Sequence, residues 1–101
     1  MSQRLSIEII HRAAAQIEEA ATWWESNRPA APGAIYEELE RVLALLSDQP
    51  GVGARARNVK LAGVRRVHLS RIHYHLYYRV TTKVVEVLAF WHTVRGLGPK
   101  V

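Results

Sequence analysis

Two connections of three residues each limit what this chain can become. Ser70–Ile72 and Thr81–Lys83 join three segments of strand chemistry, Val64–Leu69, His73–Val80 and Val84–Trp91. Links that short admit hairpins and no crossover, so the second half is expected to be an antiparallel meander. The first half runs on another period. Leu5–Ile10 is β-branched and weakly alternating, which predicts a short opening strand. From Arg12 onward Ala14, Ile17, Ala21 and Trp24 follow helical spacing, and Glu18, Glu19 and Glu25 fall off that stripe. The start of this helix is weakly marked, because His11 stands where a capping Ser or Asp would be expected. Pro29, Pro32 and Gly33 separate it from a second helix whose stripe is Ile35, Leu39, Val42 and Leu46, with Leu43 alongside. Glu37, Glu38 and Glu40 lie in the first turns of that helix, where its dipole favours anions, and Pro50-Gly51 ends it. Two helices on a short proline-rich link form an antiparallel hairpin. Neither is apolar all round, so both need a surface to lie on. The order β-α-α-β-β-β then gives an α+β fold, a helical hairpin packed on an antiparallel sheet, as a single domain over 1–101.

At 101 residues there is room for one core and little more. The chain has no cysteine, which excludes disulfides, thiolate zinc sites and cysteine nucleophiles, and suits a reducing cytoplasm. Glu8 precedes any apolar run of signal-peptide length, and no apolar stretch approaches the ~20 residues of a membrane span. A cytoplasmic protein with no membrane association is expected.

Charge is divided by position. Met1–Pro50 holds four basic and eight acidic residues; Gly51–Val101 holds ten basic residues and one acidic, Glu86. A half-chain this one-sided repels itself, so it points to a negatively charged partner. Strand alternation gathers the charge. Arg66, His68, His73, His75, Tyr77 and Arg79 are expected on one sheet face, opposite Val67, Leu69, Tyr74, Leu76, Tyr78 and Val80. The third meander strand is apolar on both faces, so it should be flanked and covered; it ends in His92, with Arg95 just beyond. His73 and His75 lack a carboxylate or further histidine and have arginine neighbours, so neither a metal nor any other cofactor is expected. Gly51-Val52-Gly53 lacks the lysine of a phosphate loop and reads as a helix stop. Arg55, Arg57 and Lys60 read as a solvated cluster. Of the adjacent Trp23 and Trp24, one is expected in the core. The usual aromatic stacking signature of an RNA-binding sheet is absent.

These segments together resemble a known family. GVRRVHLSRIHYHLYYRV (63–80) and VVEVLAFWHTVRG (84–96) are similar to the toxins of bacterial toxin–antitoxin pairs of the RelE/ParE superfamily, as are RAAAQIEEAATWWESN (12–27) and LSDQPGVG (46–53). The specific pieces are Tyr78-Arg79-Val80 and His92 followed by Arg95. The resemblance implies a toxin neutralised by a cognate, ParD-like antitoxin through an acidic segment, in a hetero-oligomer, and two activities divide the superfamily. RelE-like members cut messenger RNA on the ribosome; by position, Arg66, His68, His75 and Arg95 would match their basic set. ParE-like members poison DNA gyrase and are not known as nucleases. The tail after Arg95, GLGPKV, has no tyrosine and no room for another helix, which favours the ParE-like branch. That branch implies no catalytic residues and a toxic surface drawn from Arg66, His75, Tyr77, Arg79, His92 and Arg95. Antitoxin contacts would fall on Trp23, Trp24, Ile35 and Leu39. A basic nucleic-acid-binding module without toxicity is the alternative of another class.

Overall fold

A computed structural model describes residues 4–94 and 98–101. Its elements are β1 (Ser6–Ile9), α1 (His11–Asn27), α2 (Ala34–Asp48), β2 (Ala54–Arg55), β3 (Arg65–Leu69), β4 (Tyr74–Thr81) and β5 (Val84–His92). The expected meander is present: β3 pairs with β4 and β4 with β5, all antiparallel. The sheet order is β1-β5-β4-β3-β2, and β1 joins β5 in parallel, so the sheet is mixed rather than wholly antiparallel. The glycine- and arginine-rich loop after α2 (51–58) contributes the two-residue β2, which pairs with the start of β3. His73 lies in the turn before β4, at φ 61°, so it leaves the strand face on which alternation had put it.

The helical hairpin closes one face of the sheet. Ile17, Ala21 and Trp24 of α1 and Ile35, Leu39, Val42 and Leu46 of α2 meet Leu69, Leu76, Tyr78, Val85, Val87 and Phe90 in one cluster. Ile35, Val42 and Leu46 are fully buried, each worth about 1.5–3 kcal/mol of transfer free energy. Polar bonds fix the helices in place. Beyond the end of β1, the Phe90 N–H donates to Gln16 Oε1 at 2.8 Å. Trp24 Nε1 donates to Ala31 O at 3.0 Å, tying the interhelical link down. Ser47 Oγ donates to Leu5 O at 2.6 Å, joining the end of α2 to the chain just ahead of β1. Arg71, between β3 and β4, reaches Glu37 at 3.0 Å and Glu38 at 3.2 Å. The Arg41 and Arg71 guanidiniums hold the Glu38 carboxyl below its usual range, against the opposing effect of burial.

Tyr78 is the keystone of this face. Its hydroxyl donates to Pro50 O at 2.7 Å and accepts from Gly53 N at 2.9 Å, and burial pushes its pKa up. A Cβ on Gly53 would lie 2.6 Å from that hydroxyl and 3.0 Å from Arg66 O, so the loop passes this close only as glycine.

The other face is closed differently. A register shift sets Tyr77 opposite Ala89 but Tyr78 opposite Val87, leaving Leu88 as an extra residue in β5. Leu88 and Ala89 therefore both turn to the second face, which is why β5 reads as apolar on both sides. There they pack with Tyr77, Ala56 and Val64, and with the partly buried Val59 and Val101. The end of the chain is tied in by Val101 O, which accepts from Lys60 N at 3.2 Å and Leu61 N at 3.1 Å, and by Arg12 Nη1 donating to Lys100 O at 2.7 Å. Among the described residues, no helix is long and apolar enough to cross a membrane.

Candidate functional site

Cross-strand pairing sorts the second face into rows. His68 of β3 stands opposite His75 of β4, and His75 opposite Trp91 of β5. The next row is Arg66, Tyr77 and Ala89, and a further one is Arg79, Glu86 and, across the parallel pair, Glu8. The single basic face expected from alternation is therefore three zones of different chemistry.

In the first zone the His68 and His75 ring centroids are 5.1 Å apart, tilted at 53°. The His75 ring meets Tyr77 edge-on at 6.1 Å. His75 is half-buried, and that burial, followed by the Arg66 and His68 charges, pushes its pKa below the ordinary value. A neutral imidazole beside a guanidinium can accept a proton or a hydrogen bond while the arginine answers an anion.

In the second zone Tyr77 is only 1% exposed, so it cannot present its ring on the surface as expected. The loop over it takes that role away. Its hydroxyl alone reaches the rim, accepting from Asn58 Nδ2 at 3.0 Å and lying 3.5 Å from Arg66 Nη1. In the third zone Arg79 Nε donates to Glu86 Oε1 at 2.7 Å, so this cation is answered within the chain.

Of the six expected surface residues, Arg66 and His75 thus lie together. Tyr77 is buried beside them and Arg79 is paired beyond. His92 is on the opposite face, its ring edge-on to Tyr74 at 5.1 Å and its Nδ1 accepting from Val94 N at 3.2 Å. The bulge at Leu88 reverses the alternation that would have put it with His75. Arg95 lies outside the described residues. The alternative nuclease set keeps Arg66, His68 and His75 in contact range, with the same exception. His73 is exposed in its turn, away from His75, and among the described residues no three His, Asp or Glu side chains gather as metal ligands.

On the helical side, Trp24, Ile35 and Leu39 are buried and hold the hairpin to the sheet, so they are not available to a partner as surface. Trp23 is 48% exposed. Arg28 sits over both indoles, 5.7 Å from the Trp23 ring centre and 5.8 Å from that of Trp24. Trp23, Glu19 and Gln16 form one wall of a groove of about 280 Å³, with Tyr74, Phe90 and His92 opposite. Sequence reading missed Asn58 and Trp91. Asn58 sits in a loop without periodicity, and Trp91 joins the histidines only through strand register.

Comparison with known proteins agrees with this architecture. A solved chain described as "Chromosomal ParDE TA system from P. aeruginosa" superposes with a TM-score of 0.72 at 22% identity, over 90% of this chain and 98% of that one. At that identity the likeness speaks for the fold alone. No curated protein sequence matches. The family model for the ParE toxin of type II toxin–antitoxin systems (parDE) matches residues 7–96. With nine-tenths of its length under that match, the chain belongs to the ParE toxin family of type II toxin–antitoxin systems.

Proposed function

We propose that this toxin acts in the cytoplasm on DNA gyrase, through the second sheet face, and is silenced by a cognate antitoxin. Family membership over residues 7–96 is the observation that carries the reading. Arg66 and His75 are the residues on which the toxic surface rests, since they adjoin in a zone that the helices leave open and that no carboxylate of its rows neutralises. The half-exposed Trp23, beside its groove, offers the antitoxin an apolar anchor on the helical side. The charge division supplies the complement to an acidic segment, with an attraction that weakens as salt is added.

The test uses purified protein with gyrase and supercoiled plasmid. Trapped cleaved DNA with wild type, and little with Arg66→Ala, is the expected result. The gathering of Arg66, His68 and His75 favours a second reading, ribosome-dependent RNA cleavage with His75 as proton acceptor and Arg66 as cation. A parallel translation mixture decides between them: RNA cuts that disappear with His75→Ala would replace the gyrase reading.

A further inference from the structure

Three rings on three adjacent strands occupy one row of the second face: His68, His75 and Trp91. Neighbouring strands lie about 4.8 Å apart, so the row spans roughly 10 Å, room for about two stacked bases. His68 is exposed, His75 is half-buried beside it, and the half-buried Trp91 packs at the end of the row against the Leu88–Ala89 cluster. Arg66 stands in the adjacent row, held near the Tyr77 hydroxyl, and the loop that Asn58 pins to Tyr77 carries the exposed Arg57 and Lys60. The carboxylates of this face, Glu8 and Glu86, lie beyond that row, on the side away from the rings.

We propose that the His68–His75–Trp91 row, with Arg66 beside it, is a stacking platform for single-stranded nucleic acid. Unpaired bases lie on the rings and the phosphates run toward Arg66, Arg57 and Lys60. An acidic peptide would use the cations and leave the rings idle. A duplex keeps its base faces stacked inside and offers only phosphate. A ligand with flat faces and negative charge together uses both features, and stacking on any base explains a platform without a base-reading pocket. This inference deepens the reading of the second face as the working surface by naming the ligand chemistry there.

The experiment follows anisotropy of short fluorescein-labelled oligothymidylate, oligouridylate, a duplex of equal length and polyglutamate, with protein added at low salt. Single strands should bind more tightly than the duplex, and the stronger of the DNA and RNA arms identifies the natural source. His68→Ala should weaken single-strand binding roughly five-fold or more, the scale of one lost base–ring contact. His75→Phe, which keeps a ring, should retain it. Arg66→Gln should reduce the salt dependence. Circular dichroism of each variant establishes that it is folded. Binding of no single strand would overturn the platform, as would equal duplex binding indifferent to His68→Ala. Polyglutamate binding lost with the same variants would make the face a site for acidic peptide instead. The assay contains no gyrase and no ribosome, so its failure leaves the gyrase reading standing, and the reverse holds as well.

Discussion

Tyr77 and Tyr78 are sequence neighbours, both 1% exposed or less, yet the two faces of the sheet bury them by different means. Tyr78 sits under two helices whose apolar stripes were built to cover it. Tyr77 sits under a loop and the chain's last residues, held by backbone bonds at Val101 and the amide of Asn58. The first arrangement is a packed layer in which removed volume stays empty; the second is a cover that can settle or admit water. Burial of equal extent is therefore not burial of equal strength.

Truncation gives the largest contrast. Tyr78→Ala should cost about 3–5 kcal/mol, a large share of a small domain's stability, and Tyr77→Ala measurably less. Equal losses in denaturant unfolding would mean the loop is as rigid a cover as the helices. Removing only the hydroxyls comes next. Tyr78→Phe strands the buried Gly53 N–H and should cost about 1–3 kcal/mol. Tyr77→Phe should cost under about 1 kcal/mol, because the exposed Asn58 amide and the half-buried Arg66 can turn to water. Arg79→Ala should remove no more than about 1 kcal/mol, since its pair with Glu86 is partly exposed. A melting curve showing collapse would place Arg79 in the structural layer.

The smallest effect is a change of slope. The pKa of His75 is depressed in the folded chain, so the unfolded chain takes up this proton first as acid is added. Stability from this residue is complete above the ordinary histidine value and declines as pH falls toward and through the folded one. His75→Gln should flatten the melting temperature between about pH 7 and pH 5. An unchanged slope would show that the proton is accommodated without strain.

What could be read from residues follows the same division. The stripe from Ile35 to Leu46 and the alternation from Tyr74 to Tyr78 have periods, and periods carried the hairpin, the meander and the core. The parallel docking of β1 left no such mark, because β1 alternates the same way in either direction. Ala56 and Val59 look like loop residues, so nothing announced that their segment would bury Tyr77. Leu88 adds one residue to β5 and thereby sends His92 to the wrong side of a strict alternation. The aromatic row is the clearest case. Its rings come one from each of three strands, so no window of sequence contains it and only the register assembles it.

The parallel pair of β1 and β5 also sets an order of events in synthesis. Ser6–Ile9 is made well before Val84–Val87, its partner. Until those residues leave the ribosome, the hairpin has no complete sheet to lie on and the row ending in Trp91 does not exist. A nascent chain arrested before Val84 thus carries two helices with bare apolar stripes and four strands without β5, the one that joins β1 to the rest of the sheet, and is prone to aggregate.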